Sequence, residues 1–169
     1  PDSDLARWLE SGKIPLGRAA DLGAGLGHDA ILLAKKGFQV LAVDIAAGAV
    51  KMASANASLA EVGDKIEFLA EDALKLSVPE ASLSLVVDRG LLHFISPANR
   101  QAYIDLIVLM LAPRGHFFLK TFSEKEPPGP GPARFTQKQL EELFLPCFDF
   151  LEFKDSLFAG PAKPKAALS

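Results

Sequence analysis

Cysteine occurs once, at Cys147, so no internal disulfide is possible and nothing requires an oxidising compartment. The expected location is the cytoplasm. No block of lysines or arginines interrupts the chain, and the net charge is only −3. With so few cations grouped to neutralise phosphates, a nucleic-acid or anionic-membrane surface is not expected, and a small molecule is the better-fitting partner. The longest apolar run is far short of a bilayer's thickness, and the N-terminus lacks a basic start followed by an apolar core, so no spanning or targeting segment is expected. Histidine occurs only at His28, His93 and His116, which leaves few candidates for proton transfer near neutral pH.

What is present is ordinary globular material. Of the 169 residues 49% are hydrophobic and 23% charged, enough to bury roughly two thirds of the unfolded surface without staples. Residues 1–169 therefore read as one domain. A chain that starts at Pro1 rather than Met is expected to lack something upstream.

The order of elements is repetitive. The run Arg18 to Gly27 reads as a short apolar strand ending in a glycine turn, and Ala30 to Ala34 carry a helix capped near Gly37. Phe38 to Asp44 is almost wholly apolar at its centre, as suits a strand covered on both faces. A helix over Ala46 to Glu61, a strand over Lys65 to Ala70, a strand over Ser82 to Asp88, a helix over Pro97 to Leu111 and a strand over Gly115 to Phe122 follow. Strand and helix alternating in this rhythm predict an α/β fold with a parallel sheet between helical layers. Prolines and glycines crowd Pro127 to Gly131, a loop at the sheet's carboxyl edge, where such folds bind ligands. Thr136 and Gln139 form a capping-box pattern for a last helix. Phe148 to Phe158 alternates apolar and polar residues like an edge strand.

Chemistry concentrates in Asp21-Leu-Gly-Ala-Gly-Leu-Gly27. Gly23, Gly25 and Gly27 allow positive φ and close approach of a ligand to the backbone. A dinucleotide fingerprint needs a glycine where His28 stands, so a nicotinamide-dependent oxidoreductase is the weaker reading. Strands end in acids at one edge: Asp21, Asp44, Asp72 and Asp88. Asp44 lies 17 positions after Gly27, placed to accept hydrogen bonds from vicinal ribose hydroxyls. Asp72 either accepts an exocyclic amine such as adenine's or caps the turn over Ala73, Leu74 and Lys75.

These motifs resemble class I S-adenosylmethionine-dependent methyltransferases along almost the whole chain. Asp21 to Gly27 matches the first motif, Asp44 the ribose acid, Asp72 in Glu71-Asp72-Ala73 the adenine acid, and Val86-Val87-Asp88-Arg89-Gly90 the fourth motif. The resemblance implies a three-layer sandwich around a mostly parallel seven-stranded sheet, Rossmann-like, with the last strand truncated. It implies S-adenosyl-L-methionine as cofactor, leaving as S-adenosyl-L-homocysteine, held by Asp21, Gly23, Ala24, Gly25, Gly27, Asp44, Ile45, Asp72, Ala73, Leu74 and Asp88. Ala24 stands where many relatives have cysteine, a harmless change where backbone makes the contact.

Asp88-Arg-Gly-Leu-Leu-His-Phe94, with Pro97, Arg100, Tyr103 and Leu111-Ala-Pro-Arg-Gly115, is similar to the small-molecule methyltransferases of the thiopurine methyltransferase and tellurite-resistance type. That likeness implies a small nucleophile such as a thiol, chalcogen anion or amine as acceptor, and an N-terminal lid that this chain is expected to lack; no metal is expected, and exposed edges around the last strand allow a monomer or homodimer. His93, in the loop after the fourth strand, is the candidate base, or else a packed histidine under the cofactor. Arg89 is expected to pair with an acid such as Asp88, Trp8 to pack at the sheet edge, and Cys147 to be a small core residue. A non-catalytic cofactor-binding module stays open beside the enzyme.

Overall fold

The computed structural model describes residues 1–126, 129–158 and 165–168. Five parallel strands form its centre: β1 (Arg18–Leu22), β2 (Gln39–Asp44), β3 (Ile66–Ala70), β4 (Leu83–Arg89) and β5 (Leu111–Phe122), in the order β3-β2-β1-β4-β5. Helices α1 (Ser3–Glu10), α2 (His28–Lys35), α3 (Ala47–Leu59), α4 (Arg100–Met110) and α5 (Gln137–Phe144) complete the layers. Two four-residue strands, β6 (Asp155–Phe158) and β7 (Lys165–Leu168), pair antiparallel, and β7 meets β5 at Thr121↔Leu168 and Phe122↔Ala167.

Period-two alternation divides the strands between two cores. Ala19, Val40, Ala42, Leu85, Val87 and Phe118 face α1 and α2 through Leu5, Ala30, Leu33 and Ala34. Ala20, Leu22, Leu41, Val43 and Val86 face α4 and α5 through Tyr103, Ile104, Ile107, Met110, Leu140 and Phe144. Both faces are covered, which is why Val40 to Val43 of β2 read as a continuous apolar run. Trp8 of α1 lies on β5, 5.8 Å from Phe118 and 5.6 Å from His116 between ring centres. Among the described residues no helix is long and apolar enough to cross a membrane.

Three sequence expectations change. The helix expected from Pro97 begins as a 3₁₀ turn over Pro97–Asn99 and becomes α-helical at Arg100. The fifth strand starts at Leu111, pairs with Leu83, slips, and resumes at Leu85↔His116. Pro113 has no N–H for the ladder and Arg114 takes φ +66°, so the segment bulges instead of ending. Of Phe148 to Phe158 only β6 is strand. Phe148, against Phe144 of α5, and Phe153 are both half-buried against the same core, while Phe150 and Leu151 stay exposed. Positions five apart have opposite parity, so one strand face cannot hold both phenylalanines. The expected loop at Pro127 and Pro128 lies outside the described residues.

Candidate functional site

At the carboxyl end of β1 the chain turns sharply. The N–H groups of Gly23 and Ala24 both donate to the Val43 carbonyl, at 2.8 and 2.9 Å, which fastens the turn to β2. Gly23, Gly25 and Gly27 all hold positive φ, and Gly27 opens α2 as its N-cap. A Cβ on Gly27 would stand 2.9 Å from that of Ala53 in α3, and one on Gly23 would stand 3.1 Å from that of Leu91 after β4. Over Gly25 nothing lies within 4 Å of that position. The loop is therefore clamped on two sides and open at its crest.

Asp44, last in β2, accepts from the Gly25 N–H with one oxygen and from the Ala46 N–H with the other, each at 2.9 Å. Its carboxyl is half-buried beside Ile45, which is 76% exposed. Asp72 accepts from the Leu74 N–H at 3.0 Å and caps the short turn Ala73–Lys75, with Ala73 buried and Leu74 half-buried. The capping role weighed for Asp72 is the one seen, and its carboxyl remains partly open.

Asp21 is buried, and its Oδ2 has no hydrogen-bond partner among the described residues. Burial, reinforced by the charge of Asp29, pushes its carboxyl up to about 8. Asp29, in the first turn of α2, accepts the Asp2 N–H at 2.6 Å and pairs with Arg89 Nε. This corrects the expected Arg89 to Asp88 pair. The two belong to consecutive strand positions, whose side chains leave opposite faces of the sheet.

The acid of the fourth strand does other work. Asp88 is fully buried, and its carboxyl accepts from the N–H groups of Leu91 and Leu92, at 2.6 and 2.9 Å, and from the Tyr103 hydroxyl at 2.5 Å. Burial raises it to about 6, tempered by those donors. Asp88, expected among the residues that hold the cofactor, spends its carboxyl on fixing the turn Leu91–Phe94. That turn carries His93, whose ring stacks on Phe122 at 4.3 Å and 6° and whose Nδ1 is 3.4 Å from Thr121 Oγ1. Burial lowers the imidazole to about 4, so it is neutral at pH 7.

A family model described as a methyltransferase domain matches residues 19–115, the span that holds the glycine loop and all four acids. The chain belongs to this methyltransferase family. It is an enzyme whose cofactor is S-adenosylmethionine. The methyltransferase is 26% identical over 165 residues to the probable thiol methyltransferase 2 of Arabidopsis thaliana, covering 96% of this chain and 73% of that one. It is also 26% identical over 146 residues to the 2-heptyl-1-hydroxyquinolin-4(1H)-one methyltransferase of Mycobacteroides abscessus, covering 85% and 63%. Among solved structures, the Burkholderia thailandensis 1,6-didemethyltoxoflavin-N1-methyltransferase, with its substrate and S-adenosylhomocysteine bound, superposes with a TM-score of 0.75 at 24% identity, over 98% of this chain and 74% of that one. That last likeness is one of fold. The family assignment sets aside the nicotinamide reading, and the enzyme assignment sets aside the non-catalytic module.

One part of the methyltransferase's polar architecture escaped the sequence. Lys120 is fully buried and paired with Asp2 and Asp4 at 2.8 and 2.9 Å, while Lys154 and Ser156 also donate to Asp4. Burial alone would raise Asp4; the three hydrogen bonds outweigh it and hold the carboxyl well below its usual range. The visible signal was a lysine at the same strand parity as buried Phe118. Cys147, expected in the core, is exposed: the turn after α5 directs Phe148 inward and its neighbour outward. His28 is exposed at the start of α2, and His116 sits under Trp8 with Nδ1 buried and unpartnered among the described residues.

Proposed function

We propose that the enzyme methylates a small-molecule nucleophile at the carboxyl edge of the sheet, across the contact between Gly23 and Leu91. That contact carries the reading: the glycine loop abuts the very turn that holds His93, so a methyl donor on the loop and an acceptor at the turn would be neighbours. The residues suit the cofactor. Open space over Gly25 admits a ligand against backbone, the unpartnered Asp21 Oδ2 suits an ammonium donor, and exposed Ile45 offers an apolar cover for a base. Gly23, Ala24, Gly25 and Gly27 would hold the amino-acid end with Asp21, Asp44 the ribose, and Ile45, Asp72, Ala73 and Leu74 the adenine. Small acceptors are named for the relatives, a thiol for one and a hydroxyquinolone for another.

When bound, the cofactor supplies a methyl group activated by a positively charged sulfur. Gly23, Gly25 and Asp21 would hold the sulfur-bearing end of the cofactor on the glycine loop, and the turn Leu91–Phe94 would hold the acceptor beside it. The protein's task is alignment and exclusion of water, which can supply about 7 kcal/mol or more of the barrier lowering. His93, neutral and packed between rings, orients the acceptor or accepts one hydrogen bond. Residues 1–169 belong to a single methyltransferase domain that works in the cytoplasm, as a monomer or homodimer, on a small molecule and not on nucleic acid or membrane. The two antiparallel strands bring the sheet to seven.

Calorimetric titration with S-adenosylhomocysteine beside NAD tests the cofactor site, and turnover with a panel of small thiols and hydroxylated heterocycles tests the acceptor. Binding of the first ligand alone, with methylation of at least one panel member, is expected. Tight NAD binding, or cofactor binding without any methylation, would overturn the reading.

A further inference from the structure

His93 occupies ground that β4 gives up. The ladder between β4 and β5 ends at Arg89↔Lys120, and the next two residues of β5, Thr121 and Phe122, meet the imidazole instead of a strand. Phe122 takes one face of the ring. The ring edge carrying Cε1 and Nε2 lies over Gly90, 3.1 and 3.4 Å from where a Cβ would stand, so only a residue without a side chain leaves it room. The other nitrogen, Nδ1, faces the Thr121 hydroxyl at 3.4 Å. Stack, glycine and hydroxyl together fix which nitrogen points which way.

The hydroxyl also decides which nitrogen carries the hydrogen. Thr121 is fully buried, and among the described residues Nδ1 is its side chain's one hydrogen-bond partner. In a strand there is no carbonyl of a preceding helical turn to take the hydroxyl hydrogen. The imidazole is neutral at pH 7, so one nitrogen bears a hydrogen and the other a lone pair. With the hydrogen on Nδ1, the hydroxyl would accept it and its own hydrogen would be buried unpaired. With the lone pair on Nδ1, the hydroxyl donates and only spare acceptor capacity goes unused, the cheaper of the two arrangements. The hydrogen then belongs to Nε2, which has no hydrogen-bond partner among the described residues.

We infer that Thr121 is a positioning residue: by donating to Nδ1 it keeps the His93 hydrogen on Nε2, so that His93 meets the methyl acceptor as a hydrogen-bond donor and not as its base. This rests on the methyl-transfer reading of the site and decides between giving and accepting a hydrogen bond there. The proton of a neutral acceptor accordingly leaves to water and not to imidazole.

The test labels the histidines of the parent, Thr121→Val, Thr121→Ser and His93→Gln with heavy nitrogen and records two-bond proton–nitrogen correlation spectra at pH 7, with and without saturating S-adenosylhomocysteine. Signals lost in His93→Gln belong to His93. In the parent, Nε2 is expected to carry the hydrogen and Nδ1 the lone pair. Thr121→Val, which keeps the shape and removes the hydroxyl, should move the Nδ1 signal toward that of a nitrogen with no donor, and Thr121→Ser should bring it back. With a thiol that the parent methylates, benzenethiol being the first tried, kcat should fall about fivefold in Thr121→Val and recover most of the loss in Thr121→Ser, the weight of one ordinary hydrogen bond. S-adenosylhomocysteine affinity within twofold of the parent's shows that the valine variant is folded; if it is not, the parent spectrum and the serine variant decide. A hydrogen on Nδ1 in the parent, an Nδ1 signal unmoved in Thr121→Val, or an unchanged kcat in that variant overturns the proposal. Methylation of no panel member overturns the methyl-transfer reading instead, and the spectra still settle where the hydrogen sits.

Discussion

The single tyrosine, Tyr103 of α4, donates its hydroxyl to Asp88 at the end of β4, and the same carboxyl oxygen accepts the Leu92 N–H. A helix packed on one face of the sheet thus holds the turn that presents His93 on its edge. Tyr103→Phe leaves the Asp88 oxygen short of a buried donor, so unfolding free energy should fall by about 1–3 kcal/mol. If the pair also positions the turn, kcat with a methylated panel substrate should drop while S-adenosylhomocysteine affinity stays within twofold. Denaturant titration and steady-state kinetics read the two effects separately.

Asp44 links the glycine loop to the second strand and leaves its carboxyl partly open. Asp44→Ala should weaken S-adenosylhomocysteine binding by tenfold or more, since hydrogen bonds to a charged group contribute about 1.5–3 kcal/mol. Calorimetry measures this. Unchanged affinity would remove Asp44 from the ribose site.

His93 and Asp21 give stability opposite pH dependences. His93 titrates near 4 when folded and near 6.5 when unfolded, so the unfolded chain takes up the proton first. Its stabilising contribution is present above about 6.5 and is lost as pH falls toward 4. Asp21 titrates near 8 when folded against its ordinary 3.8, so it favours the folded state at low pH and loses that contribution as pH rises through this window. Midpoints in urea for His93→Gln should fall less steeply than the parent's between pH 6.5 and 4, and those for Asp21→Asn should fall less between pH 4 and 8.

Cofactor binding should also move a proton. With Asp21 raised to about 8, most of its carboxyl is protonated at pH 7, and an ammonium group placed beside it favours the ionised form. Titrations of S-adenosylhomocysteine at pH 7 in buffers of different ionisation enthalpy should show net proton release, and Asp21→Asn should reduce it.

Lys120 joins the N-terminal helix to β5 without exposure to solvent. Lys120→Met leaves Asp2 and Asp4 as buried or half-buried acids without their shared cation, a change that typically costs about 3–5 kcal/mol. Amide exchange should show the greatest loss of protection in residues 3–10, the helix these acids begin.

The sequence by itself determined the alternation of strands and helices, the parallel sheet and the glycine loop, because apolar runs, caps and positive-φ glycines act over a few neighbours. The capping box at Thr136 and Gln139 forms as its spacing requires, since both partners lie within one turn. Only the tertiary structure decided where the charges went. Arg89 meets Asp29 across 60 positions and Lys120 meets Asp2 across 118, pairings that depend on which sheet face each side chain leaves and which helix covers that face. Asp88 and His93 turned inward for the same reason: a buried hydroxyl on α4 and a ring on β5 were waiting for them, and no local pattern records the approach of residues so far along the chain.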